Sequence, residues 1–444
     1  MVFTNECLVK YYKTLVIIAD HLQRYQLANE LHARPFPFHS APGMVAFLAL
    51  KEPENAAQRD RTKDRTNLIG LLDRFGVPHP KEDATHYFGD FGKFKLKWEA
   101  HTEFVTYTIF LSGLSEKPFD GVSFDAFPKE WLDTLSTHRI TSVNLRLENM
   151  SGAENNSEII SKKLSEWFVQ ESLAVSKVLD GSAVVASDFR IDDEGHQRFV
   201  LFIDPATDDR RVGRIIQRLC EIEMYKSMSM LGFARVRNMA KQMGEVDTKL
   251  SQIMSDMNDG KLAAEVTLDN LLKVSTELET LSAEASFRLG ATEAYEAIVH
   301  QRIRVLREER FKGRQTFSEF MMRRYDPAMR TVKSSRGRLG NLADRAIRAG
   351  DLLRTRVDVE RSAQNQALLT SMDRRADLQL RLQKTVEGLS VVAISYYAVS
   401  LVSYLLYPLA ENYSVTKGFL TSIITLPVVG FVYLTIRRIR SKML

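Results

Sequence analysis

Residues 389–407, LSVVAISYYAVSLVSYLLY, and residues 419–436, FLTSIITLPVVGFVYLTI, decide how this chain is read. Neither run carries a formal charge. Helices of this length, at 1.5 Å per residue, extend about 27–29 Å, close to the roughly 30 Å hydrocarbon thickness of a bilayer. A buried core helix has the same composition, but two such runs closing the chain around a short polar loop point to a membrane hairpin. Pro427 and Gly430 fall inside the second run, where membrane helices tolerate them. Tyr404, Tyr407, Tyr413 and Phe419 gather near the loop, as an interfacial aromatic belt does. Asp, Glu, Lys, Arg and His are missing from both runs, and with them the usual mark of a proton relay or charged ion site.

The flanks set the orientation. Arg437, Arg438, Arg440 and Lys442 follow the second run, and Arg374, Arg375, Arg381 and Lys384 precede the first, whereas the loop has Lys417 set against Glu411. Basic flanks stay on the cytoplasmic side, so both termini and the soluble bulk are expected inside and the loop outside. Tyr396, Ser400, Ser403 and Tyr407 recur at spacings of four, three and four, which puts hydroxyls on one face of the first helix. Such a face serves either to line a polar pore in an oligomer or to pack one helix on another. Packing is the plainer reading.

Upstream, proline placement divides the chain. Eight of the twelve prolines lie in the first 128 residues, and none between Pro205 and Pro327 or between Pro327 and Pro408. Proline-free, charged, periodic sequence predicts long helices. Val236, Met239, Met243, Val246, Leu250, Ile253 and Met257 alternate spacings of three and four, and Leu271, Val274, Leu278, Leu281 and Ala285 resume the rhythm beyond Gly260. That is a heptad seam. Seven of the fifteen methionines fall between Met224 and Met257, which reads as adaptable core packing before it reads as a ligand box.

The first 205 residues mix period-two and helical signals. Strands are expected at 44–50, 94–98, 104–111, 140–147, 183–191 and 198–203, the last two joined by the turn residues Asp192-Asp193-Glu194-Gly195. Helices are expected at 55–75, 124–136 and 157–168. The expected fold is therefore an α+β N-terminal domain over 1–205, then a long α-helical coiled-coil stalk over 206–388. A C-terminal two-helix transmembrane hairpin over 389–436 and a basic cytoplasmic tail over 437–444 complete it.

Composition agrees with a mostly soluble chain. Its 444 residues suffice for two or three units, and 44% hydrophobic with 26% charged residues is ordinary for a folded protein. The net charge of +5 hides a local bias: residues 302–361 hold seventeen Lys or Arg against eight Asp or Glu. A solvated face laced with ion pairs is the plain reading. Attraction to anionic lipid headgroups is the next. Nucleic acid comes last, since no binding motif accompanies the charge. Cys7 and Cys220, far apart and outside any CxxC, argue for a reducing compartment. Residues 15–19, LVIIA, are too short an apolar run for a secretory signal and lack an A-x-A site.

Chemistry-bearing residues are few. Glu30, His32 and Arg34 in ELHARPF share a face if extended, and His101 and Glu103 in WEAHTEF repeat that two-residue spacing. Histidine with carboxylate can bind a metal or move protons, though a buried polar network fixing the chain start against the sheet needs the same residues. A Walker A loop, GxGxxG, HExxH, GxSxG and paired CxxC are all missing from the sequence. No cofactor is indicated.

The strings RYQLANELHARPFPF, WEAHTEF and LQLRLQKTVEGLSVVAISYY resemble a bacterial family of uncharacterised membrane-anchored proteins, domain of unknown function 3422, over nearly the whole chain. The resemblance implies the bacterial inner membrane and supplies no activity. The layout is also similar to CorA-type magnesium transporters, pentamers whose first span lines the pore. Their Gly-Met-Asn signature is replaced here by Tyr407-Pro408-Leu409-Ala410-Glu411-Asn412-Tyr413. The expected partners are the bilayer and further copies of the chain through the stalk. The expected role is structural, sensing or scaffolding, with a CorA-like oligomeric cation channel as the alternative and a metal-dependent enzyme on His32 and His101 as the weakest.

Overall fold

The computed structural model describes residues 20–30, 37–53, 60–82, 84–150, 156–259, 262–411 and 416–443. Two compact units divide the chain, Met1–Lys249 with Ser275–Asp344, and Leu250–Val274 with Arg345–Leu444.

The first unit is built on a mixed sheet. After helix α1 (Arg24–Glu30) come strand β1 (Gly43–Lys51) and helix α2 (Arg61–Phe75). Strands β2 (His86–Asp90), β3 (Lys95–Ala100) and β4 (Phe104–Ser112) follow, then helix α3 (Lys129–Leu132) and the long strand β5 (His138–Asn149). Helix α4 (Asn156–Trp167) leads into β6 (Ala174–Val178), β7 (Ala183–Ser187) and β8 (Gln197–Ile203). A two-residue strand β9 (Glu309–Arg310) completes a nine-stranded sheet of order β2-β3-β4-β1-β5-β8-β7-β6-β9 among the described residues. Every pairing is antiparallel except that of β5 with β8.

Side-chain alternation along the strands sorts the layers. Ala46, Leu48 and Leu50 of β1 pack with Leu96 and Trp98 under Leu68, Leu71 and Leu72 of α2. Val184, Val200 and Phe202 pack under Ile160 and Leu164 of α4. The opposite face meets helix α5 (Asp209–Asp259), whose Ile215, Ile216, Leu219 and Ile222 are buried. The expected helix at 124–136 is corrected: a 3-10 turn at Val122–Phe124 and the four-residue α3 stand there, with Pro128 as N-cap between them. Proline disfavours helical backbone in the residue before it, and the helical signal breaks at Phe127.

The long helices follow as the periodicity predicts. Helix α6 (Ala264–Arg304), short α7 (Phe317–Arg324), α8 (Asp326–Glu411) and α9 (Lys417–Met443) join α5. In the first unit Val236, Met239, Met243 and Val246 are buried together with Leu278, Leu281 and Leu289 of α6 and Leu339 and Leu342 of α8. Ion pairs Arg235–Glu284 (2.5 Å), Lys249–Glu277 (2.7 Å), Arg338–Asp247 (2.9 Å) and Lys333–Glu296 (3.0 Å) lace those helices. In the second unit Leu250 and Ile253 are buried along with Leu271, Val274, Ala349, Leu353 and Val357. Arg356 donates to the Met257 carbonyl (2.7 Å) there. Beyond that packing α8 changes character, and residues 361–386 are exposed on every face.

Candidate functional site

At the end of the second unit the two apolar stretches lie side by side and enclose a groove of about 610 Å³. Val391, Val392 and Val399 of α8 and Val429 of α9 supply its apolar wall. Ser395, Tyr396, Ser400, Ser403 and Tyr404 face it from α8, with Lys417, Thr421 and Thr425 from α9. Of the hydroxyl residues read at spacings of four and three, Tyr396, Ser400 and Ser403 line this groove. The fourth, Tyr407, lies at its loop end, where Lys417 Nζ stands 5.5 Å from the Tyr407 ring and 5.8 Å from that of Tyr404. The spacing thus located a surface, while the partner helix that makes it a groove was beyond its reach. Arg437 and Arg438 follow in the same helix; the side chains of Arg440 and Lys442 lie outside the described residues.

In the sheet domain His32 and Arg34 lie outside the described residues, as do residues 15–19 and the side chain of Glu30. Glu103, 1% exposed, accepts from Tyr295 Oη (2.7 Å) and pairs with Arg288, both on α6. Burial, then the Glu103 carboxylate, pushes the Tyr295 phenol up. His101 stacks on Phe104 at 4.4 Å between ring centroids and borders a cavity of about 420 Å³ between β3, β4 and α5. A chain of polar contacts crosses that cavity. Lys97 pairs with Glu99 (3.0 Å) and donates to Gln217 (3.1 Å), Gln217 donates to Glu221 (2.8 Å), and Glu221 pairs with Arg302. Cys220, at its wall, is buried and its thiol is pushed up by burial, which disfavours the thiolate. Among the described residues no group of three or more His, Cys, Asp or Glu is placed to hold a metal ion.

A second polar line escaped sequence reading. Ser142, Asn144, Arg146 and Glu148 alternate along β5 and are all buried. His196 Nδ1 meets Ser142 Oγ (2.9 Å), Ser123 Oγ donates to Asn144 (3.3 Å), and Arg146 Nε donates to Glu148 (2.7 Å), which Lys163 also pairs. The line fills the sheet face between the α2 and α4 clusters. Its signal was present in HRITSVNLRLEN as polar residues at every second position; read alone, that alternation means a solvated face. Glu223 of α5 is buried as well and accepts from Gln197 (2.6 Å) and Lys226 (2.7 Å). These networks tie the sheet to α4 and α5.

Compared with known proteins, residues 19–443 match the family model described as "Protein of unknown function (DUF3422)". No curated protein and no solved structure matches, so the likeness of layout to CorA-type transporters is not confirmed.

Proposed function

The chain belongs to the DUF3422 family of proteins of unknown function, and from that premise we propose that it is a membrane-anchored protein. In this reading its C-terminal hairpin holds the sheet domain and helical bundle at the cytoplasmic face of the inner membrane in a structural, sensing or scaffolding role. One observation carries the proposal. The apolar windows of α8 and α9 have mean hydropathies of 1.8 and 2.0, yet only 6% and 11% of them is buried. A soluble core helix hides its apolar surface; these helices turn Leu401, Leu405, Leu426 and Phe431 outward, each more than 60% exposed. Hydrocarbon is the solvent that suits such a surface.

The test is extraction of membranes from expressing cells at alkaline pH, where the protein is expected to remain in the pellet. Recovery in the supernatant rejects the anchor. Orientation is read separately from Ser414→Cys and Ser441→Cys, labelled in intact cells by a membrane-impermeant maleimide. Labelling of the first alone supports cytoplasmic termini, and labelling of the second reverses the topology.

A second reading, passage of cations along the hydroxyl-lined groove, is motivated by Ser395 and Ser403, whose Oγ atoms are buried without hydrogen-bond partners among the described residues. Purified protein in liposomes would then support cation flux; silent vesicles across monovalent and divalent cations reject it.

A further inference from the structure

The hairpin groove presents its chemistry in an order. In α9, Thr421, Ser422, Thr425 and Thr435 each donate to the carbonyl four residues earlier, at 2.7–3.0 Å, the economy expected of hydroxyls in an apolar medium. Ser395 and Ser403 of α8 make no such bond among the described residues, although both Oγ atoms are buried and Ser395 is only 5% exposed. A hydroxyl left unpaired in hydrocarbon is costly unless it turns to its own helix backbone. Ser403, the nearer of the two to the loop end, is therefore the one placed to donate to an occupant's acceptor oxygen.

Position along the groove narrows the occupant. At the loop end stands Lys417, the first residue of α9, where the unpaired N–H groups and dipole of a 27-residue helix add to its positive field. Ser403 lies one helical turn inward of Tyr407, about 6 Å along the axis. Deeper still, Val399, Val391 and Val429 supply apolar wall, with Ser400, Tyr396, Ser395 and Thr425 set among them. A cation at the loop end and a largely apolar wall with scattered hydroxyls match an anionic headgroup above an acyl chain.

We infer that the groove binds one anionic glycerophospholipid. Its phosphate sits against Lys417, a glycerol ester carbonyl accepts from Ser403, and one acyl chain lies along Val399 and Val391. With the chain in place, Ser395 turns to the carbonyl four residues earlier, as the hydroxyls of α9 do. The inference rests on the membrane-spanning reading of the hairpin and deepens it.

Full-length protein in mild detergent, offered phosphatidylglycerol and phosphatidylcholine of matched acyl chains, is examined by native mass spectrometry. One phosphatidylglycerol retained per chain, in preference to phosphatidylcholine, is expected. Lys417→Gln should cut that preference by about fivefold, the worth of one cation at an anionic headgroup. Arg437→Gln, at the other end of α9, should leave it unchanged. Ser395→Leu fills the deep part of the groove and should abolish retention of both lipids. Equal retention of the two lipids by the unaltered protein, or a preference untouched by Lys417→Gln, overturns the inference. Alkaline extraction separates the two failures. A protein that stays in the membrane yet shows no lipid preference overturns the groove site alone, whereas release into the supernatant overturns the anchor and the site together.

Discussion

Single residues in the sheet domain make the sharpest demands. A Cβ on Gly213 would overlap the Pro37 carbonyl oxygen, which is backbone and cannot swing aside. Gly213→Ala is therefore expected to cost about 1–3 kcal/mol, the usual penalty of overpacking, visible as a lower Tm; an unchanged Tm would show that the segment from Pro37 does not hold α5. Glu103→Ala strands the Arg288 guanidinium, which is 16% exposed, and should cost about 3 kcal/mol. Arg288→Met added to Glu103→Ala should recover part of that loss, and strict additivity in denaturant melts would deny the pairing. His39 and His196 titrate the same way. Burial, helped by Lys95 for His39 and Arg139 for His196, holds each down to about 4. Between pH 6.5 and 4 the unfolded chain takes the proton and the folded chain does not. Stability is thus fully present above 6.5 and lost as pH falls, by at most about 3 kcal/mol per group. His39→Leu should flatten that acid slope, and an equally steep slope in the variant would remove His39 from the account.

At the scale of elements, one periodicity has two fates. Leu278 of α6 is 2% exposed and Leu378 of α8 is 59% exposed, although each lies on a long, proline-free helical stretch. Leu278→Ala should cost about 2–5 kcal/mol through lost burial and a residual cavity, while Leu378→Ala should leave the melting curve in place. Equal losses would mean that residues 361–386 are covered in solution. The heptad spacing made the helices and their buried faces legible, down to Val236, Met243 and Leu278. It could not say which helices would meet, because a seam of threes and fours suits a neighbour in the same chain as well as one in another copy. Strands with apolar or alternating runs, β1, β3, β4, β5, β7 and β8, were equally legible. The edge strands β2 and β9 and the short β6 were missed, since short and partly polar runs take their conformation from the neighbour they pair with.

At the scale of the molecule, deleting residues 389–444 should move the protein from the alkaline-resistant pellet to the soluble fraction; persistence in the pellet would place the membrane contact elsewhere in the chain. The sequence by itself determined the element types: a mixed α and β beginning, long helices, and two apolar helices at the end. Those follow from local periodicity and from charge-free length, quantities that a chain carries without its neighbours. Tertiary structure decided the rest. Glu103 met Arg288 and Tyr295 of a distant helix, the polar residues of β5 were buried between two helix clusters, and a face of hydroxyls became the wall of a groove. Each outcome depends on which surface a distant segment brings up. The first hairpin run could announce Ser395, Ser400 and Ser403, but only the approach of Lys417, Thr421 and Val429 gives them a groove with a charged end and a largely apolar wall.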